Sequence, residues 1–156
     1  MEHRDDICVR LRSSPCLLKT VRELVRQYMD VCGVSAERRD EAVLAVDEAC
    51  ANAIRHSYGG CETEVIELAF RKRDDCVEIV LRDHGAPADL ARVERKRSGV
   101  DRNEKLKPGG LGVALICRVF DEVDYRPGKN AGNRVTMRLR LPGALEGQAA
   151  ARTEQG

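Results

Sequence analysis

The spacing of apolar residues changes several times along this chain, and the order of those changes restricts the folds open to it. Residues 7–12, ICVRLR, alternate and predict a short strand. Leu17, Leu18, Val21, Leu24, Val25 and Tyr28 then recur at helical spacing, after a start at Ser14-Pro15 and before a stop at Gly33. Ser35 predicts the cap of a second helix, which runs to about His56 and ends at Tyr58-Gly59-Gly60. Two alternating segments, 62–72 and 76–82, joined by Arg73-Asp74-Asp75, predict a β-hairpin. Gly85, Pro87, Gly99, Pro108 and many charges break the pattern over 84–109, a connection of the length that is usually functional or mobile. A helix resumes from Gly110 to Phe120. Strands at Glu122–Arg126 and Arg134–Leu141 then flank the turn Pro127-Gly128-Lys129-Asn130.

That order, βααββ-loop-αββ, predicts an α+β two-layer sandwich, a mixed and mostly antiparallel sheet covered on one face by helices. One domain over 1–142 is expected, followed by a small, polar, disordered tail at 143–156.

Composition removes several functions. Twenty-seven basic residues against 26 acidic ones leave a net charge of +1, and with no Trp there is neither a broad basic surface nor a stacking platform for nucleic acid. The start MEHRDDICVRLR carries early acids and no apolar core, so no signal peptide is expected, and no apolar run approaches a membrane span. The seven cysteines are scattered and never form C-x-x-C, which suits a reducing cytoplasm better than disulfides or zinc.

The second helix carries DEACANAIRHSYGG. At about 100° per residue, Val43, Val46, Cys50, Ala53 and Ile54 share one side, while Glu48, Asn52 and Arg55 project from the other. Residues four apart stack on one face, so a carboxylate able to take a proton lies beside a carboxamide able to bind a hard cation. A solvated outer face has the same composition.

Asp83 ends an apolar run and is followed by Gly85, which lets backbone approach closely; a turn-forming aspartate reads the same way. Gly109-Gly110-Leu111-Gly112 opens a helix, where exposed N–H groups and the positive end of the helix dipole suit phosphate; a flexible entry to a helix is the alternative. No Gly-Lys-Ser/Thr follows, so this is not a Walker loop. The basic run before it (Arg92, Arg95, Lys96, Arg97, Arg102, Lys105, Lys107) is a candidate lid over a triphosphate, although solvation accounts for it equally. His3-Arg4-Asp5 mimics a fragment of the protein-kinase catalytic loop but lacks the accompanying motifs.

The three blocks in this order resemble those of the GHKL (Bergerat-fold) ATP-binding domains, and more narrowly those of the bacterial anti-sigma-factor serine kinases. DEACANAIRHSYGG is similar to the asparagine-bearing box, RDHGAP to the first glycine box, PGGLGVALICRVFDEVDY to the second, and GNRVTMRLR to the closing strand. Pro87 stands where many GHKL proteins have a second glycine.

The resemblance implies ATP and Mg²⁺ as cofactors, with Asn52 as the Mg²⁺ ligand and Glu48 as general base. It implies Asp83 on adenine with Gly85 beside it, Gly109, Gly110, Leu111 and Gly112 on phosphate, Thr136 near the base, and Arg55 at the same site. It further implies a cytoplasmic homodimer that holds a sigma factor and phosphorylates a serine on a STAS-type anti-anti-sigma protein. A non-catalytic ATP-binding module that sequesters a partner, or a GHKL component of another partner-switching circuit, would carry the same boxes.

Overall fold

A computed structural model describes residues 4–97, 112–128 and 130–143. Gly109, Gly110 and Leu111, the basic residues Arg102, Lys105 and Lys107, and the tail after Gly143 lie outside the described residues.

Strand β1 (Ile7–Arg12) leads through a single 3-10 turn at Pro15–Leu17 into helix α1 (Leu18–Val31). Pro15 has no N–H to lose at the start of a helix, which is why the chain tolerates it there. Leu18, Val21, Val25, Tyr28 and Met29 are buried, at the three-to-four spacing of an amphipathic helix. The helix closes on Gly33, whose φ of +80° an L side chain rarely adopts. The N–H of Gly33 reaches the carbonyl of Asp30, and that of Val34 the carbonyl of Met29, each at 3.0 Å. Ser35 then caps helix α2 (Ala36–Asn52), its Oγ accepting from the N–H of Arg38 at 3.5 Å.

The hairpin strands are β2 (Val65–Lys72) and β3 (Cys76–Asp83). Helix α3 (Leu90–Arg97), helix α4 (Gly112–Val119), strand β4 (Glu122–Arg126) and strand β5 (Asn133–Arg140) follow. The five strands lie in the order β1-β2-β3-β5-β4, and every pairing is antiparallel. The expected sandwich is present, with the sheet at the fully antiparallel limit of the mixture predicted. Ile66, Leu68, Phe70, Val77, Ile79, Leu81, Met137 and Leu139 pack from the sheet against α1, α2 and α4. Tyr28 and Phe70 meet edge to face across that layer, 5.2 Å between centroids.

One topological step builds the site. After β3 the chain leaves through α3 and α4, forms β4 at the sheet edge, and returns as β5 between β3 and β4. The end of β3 thereby meets the start of β5, with Asp83 paired to Asn133 in register.

Helix α3 falls inside the segment expected to be an irregular connection. Leu90 is exposed, and of the apolar residues of α3 only Val93 lines a cavity, so no apolar stripe marks this helix. Its readable signal is Asp89, whose Oδ1 accepts from the N–H of Arg92 at 3.2 Å.

Candidate nucleotide site

At the end of α2 the backbone widens into a π turn, Ala53–Ser57. Such turns shift the following side chains by one position and recur at functional sites. Here the shift aims Ser57 at the strand ends. Tyr58 then ties the turn down: its hydroxyl donates to the carbonyl of Val65 at 2.6 Å and accepts from the N–H of His84 at 2.7 Å.

Asp83 is 3% exposed and closes one end of a cavity of about 220 Å³. Its Oδ2 accepts from Ser57 Oγ at 3.1 Å. Its Oδ1 accepts from the N–H of Gly85 at 3.0 Å and from Asn133 Nδ2 at 2.9 Å. A carboxylate offers about four acceptor directions, so three donors hold it in place and leave it able to receive one more from the cavity. Asn133, 4% exposed, also donates to the carbonyl of Ala86 at 2.8 Å and accepts from the N–H of Ala88 at 2.9 Å. The loop after β3 is therefore held by one side chain from β5. Gly85 is required by contact: a Cβ there would collide with the backbone carbonyl of Ser57.

The cavity floor is apolar, formed by Leu81, Val135 and Tyr125 from neighbouring strands, with Ala49, Ala53 and Val113 above it. Tyr125 places a buried hydroxyl there with no hydrogen-bond partner among the described residues. At the mouth, Arg92 of α3 lies 3.3 Å from Nδ1 of His56 on the π turn.

Asn52 lines the same cavity. Glu48, one turn earlier on α2, stands beside it. Arg55 joins the two: its guanidinium donates to Asn52 Oδ1 at 3.1 Å and lies 3.6 Å from Glu48 Oε2. Above them comes the N-terminal turn of α4, and a Cβ on Gly112 would stand 2.7 Å from Glu48 Oε2 and 3.1 Å from Asn52 Nδ2. Glycine keeps that space open.

Of the residues singled out from the sequence, Asn52 and Asp83 line the cavity. Gly85 adjoins it through Asp83, and Glu48, Arg55 and Gly112 stand beside Asn52 outside the lining. Thr136 requires correction. It pairs with Val80, and since alternate strand residues face opposite ways, it lies on the far side of the sheet from Asn133 and Val135, which line the cavity. The β5 residue at the site is Asn133. Of the candidate basic lid, Arg92 reaches the cavity, whereas Arg97 donates to the carbonyl of Val123 at 3.0 Å. Ser57, Tyr125 and Asn133 escaped the sequence reading; the Asp83–Asn133 register was the signal for the last.

Among the described residues no cluster of three or more His, Cys, Asp or Glu is arranged to hold a metal, and no helix is long and apolar enough to cross a membrane.

Comparison with known proteins agrees with the fold. Residues 11–139 match the histidine kinase-like ATPase domain family. The serine-protein kinase RsbW of Staphylococcus epidermidis is 32% identical over 138 residues, 86% of either chain. The serine-protein kinase RsbW of Oceanobacillus iheyensis is 29% identical over 126 residues, covering 79% of this chain and 80% of that one. Among solved structures, the SiaB–SiaC complex of Pseudomonas aeruginosa superposes with a TM-score of 0.61 at 14% identity, over 89% of this chain and 92% of the other. The RsbU and RsbW domains of a Mycobacterium tuberculosis protein give 0.57 at 19% identity, over 86% of this chain and 32% of that one. These two likenesses speak to the fold. With the family match spanning most of the sequence, the chain belongs to the histidine kinase-like ATPase domain family, among the relatives of the RsbW serine-protein kinases.

Proposed function

We propose that this chain is a Mg²⁺-ATP-dependent protein serine kinase acting in a partner-switching circuit. In this reading it binds a sigma factor as a homodimer and phosphorylates a serine of a STAS-type anti-anti-sigma protein. The observation that carries the proposal is the placement of Glu48 and Asn52 under the open space at Gly112, beside a cavity whose other end is the fixed carboxylate of Asp83.

Each group has a task in that reaction. Asp83 accepts the exocyclic amine of adenine, and the apolar floor takes the ring. The side chains fit Mg²⁺: an amide oxygen is a hard donor, and Mg²⁺ in phosphotransfer sites takes few protein ligands because phosphates and water supply the rest. Asn52 would be that ligand: Arg55 occupies one of two lone pairs on its Oδ1 and leaves the other for the ion. An ion held there would offset charge on the phosphates. Glu48 takes the proton of the serine hydroxyl as that oxygen attacks the γ-phosphorus, and ADP leaves. Arg55 holds Glu48 and Asn52 in one orientation before substrate arrives.

The pairing of Arg55 with Glu48 also favours a second reading, in which the carboxylate is structural and ATP serves to hold a conformation that sequesters a partner. Incubation with labelled Mg²⁺-ATP and a STAS-domain protein decides between them. The kinase reading expects phosphoserine on the partner by mass spectrometry; bound ATP without transfer supports the module reading.

A further inference from the structure

Three rows of side chains cross four or five strands on the sheet face turned away from the helices, and one of them is electrically unfinished. Strand register places Arg71, Glu78, Arg138 and Glu122 in one row. That row neutralises itself: Glu78 lies 3.6 Å from Arg71 and 2.7 Å from Arg138, which lies 3.3 Å from Glu122. The middle row, Cys8, Ala69, Val80 and Thr136, is short and nearly uncharged until it reaches Asp124. The third row reads Arg10, Glu67, Arg82, Arg134, Arg126 across all five strands.

In the third row the carboxylates are already taken. Glu67 faces Arg82 in register but turns to Arg10 at 2.9 Å, and Asp124 holds Arg126 at 2.7 Å. Arg82 and Arg134 stand directly opposite each other, and among the described residues neither has a carboxylate within ion-pair distance. Arg134 also leaves its buried Nε without a hydrogen-bond partner among the described residues, as Arg71 does, but Arg71 keeps carboxylates beside it. Like charges directly opposite on adjacent strands destabilise a sheet, and an orphaned buried donor adds to that cost.

We infer that the Arg82–Arg134–Arg126 row is a docking surface for an acidic helix of a protein partner. Neighbouring strands stand about 4.8 Å apart, so the three guanidiniums repeat at nearly the pitch of a helix, about 5.4 Å. Glutamates or aspartates on successive turns of a helix laid across β3, β5 and β4 meet Arg82 and Arg134 one to one, in the forked geometry that suits Arg, and a third competes with Asp124 for Arg126. The short middle row leaves a shallow trough alongside for the rest of that helix. A second copy of this face is a poor occupant, because it would set arginine against arginine. The surface lies on the opposite side of the sheet from the nucleotide cavity and does not depend on the kinase reading.

The test uses the full chain and an alanine-rich helical peptide with glutamates at i, i+3 and i+7, titrated by fluorescence anisotropy at low ionic strength. Saturating Mg²⁺-ATP is present throughout, so that the cavity is not the site measured. The inference expects the double variant Arg82→Gln/Arg134→Gln to bind the peptide at least tenfold more weakly. Arg26→Gln/Arg39→Gln, on the helical side, should change affinity less than twofold. The double variant at the sheet should also melt at or above the wild-type temperature, since a repulsion is relieved. Equal binding by Arg82→Gln/Arg134→Gln overturns the inference. So does equal binding of a peptide with its glutamates scattered round the helix, or tighter arginine-dependent binding of duplex DNA. A lower melting temperature for the double variant also overturns it, by showing that the guanidiniums serve the fold.

Discussion

A Cβ on Gly112 would stand 2.7 Å from Glu48 Oε2, so the helix that opens at the second glycine box rests against the carboxylate of the asparagine-bearing box. The atom it would meet is the end of a flexible side chain, which can swing away at little cost to the fold. The position of the carboxylate, however, is what proton transfer needs. Gly112→Ala is therefore expected to change unfolding free energy by less than about 1 kcal/mol, while phosphotransfer falls roughly 100-fold, the usual effect of misplacing a catalytic group by about 1 Å. Urea denaturation beside a transfer assay checks both halves.

Asn133 is the counterpart for the other end of the cavity. Asn133→Ala removes a donor from Asp83 and leaves the Ala86 carbonyl and the Ala88 N–H without their partner. A loss of about 1–3 kcal/mol in stability is expected, together with weaker ATP binding by calorimetry, because Asp83 and the loop beside it lose their brace. Unchanged ATP affinity would remove Asn133 from the site.

Tyr125→Phe separates a ligand contact from a structural one. The hydroxyl has no partner among the described residues, so its loss should leave the apo protein equally stable or more so. Nucleotide affinity is expected to fall about fivefold, the equivalent of one ordinary hydrogen bond of ~1 kcal/mol. Calorimetry against the melting temperature reads the two effects apart.

On the other sheet face, Glu78 is 3% exposed. Burial alone would raise its carboxyl, but hydrogen bonds and charge from Arg138 and Arg73 outweigh that and hold it below the ordinary 4.5. A depressed carboxylate lends stability that is full above its unfolded value and lost as pH falls through the folded one. Glu78→Gln should cost roughly 3 kcal/mol near neutrality, at the low end for a broken buried pair because the arginines are partly exposed. The gap between variant and wild type should close as the pH drops below 4.5. A gap that is constant with pH would contradict the assignment.

The sequence disclosed most of this architecture where periodicity was strong. Strand Ile7–Arg12 and strand Glu122–Arg126 have the bounds that alternation implied, and Glu48 and Asn52 share a face because residues four apart on a helix must. The failures have physical causes. Strand parity is unforgiving: β5 begins at Asn133, one residue before the predicted Arg134, and Thr136 proves to lie on the outer face. The π turn that aims Ser57 at Asp83 has no compositional signature. Helix α3 carries so little apolar surface that only the cap at Asp89 announced it. Ser57, Tyr125 and Asn133 became visible only when distant segments were brought together, since each works through a partner far away in sequence.

In the proposed reaction Glu48 accepts a proton during transfer while Asn52 and Asp83 hold the nucleotide. Glu48→Gln keeps the size of the side chain and its contact with Gly112 but removes its basicity. Measured together, the ATP dissociation constant should stay within about twofold and the rate of phosphoserine formation should fall at least 100-fold, the share of catalysis a general base supplies. A variant that transfers phosphate at the wild-type rate would contradict the account.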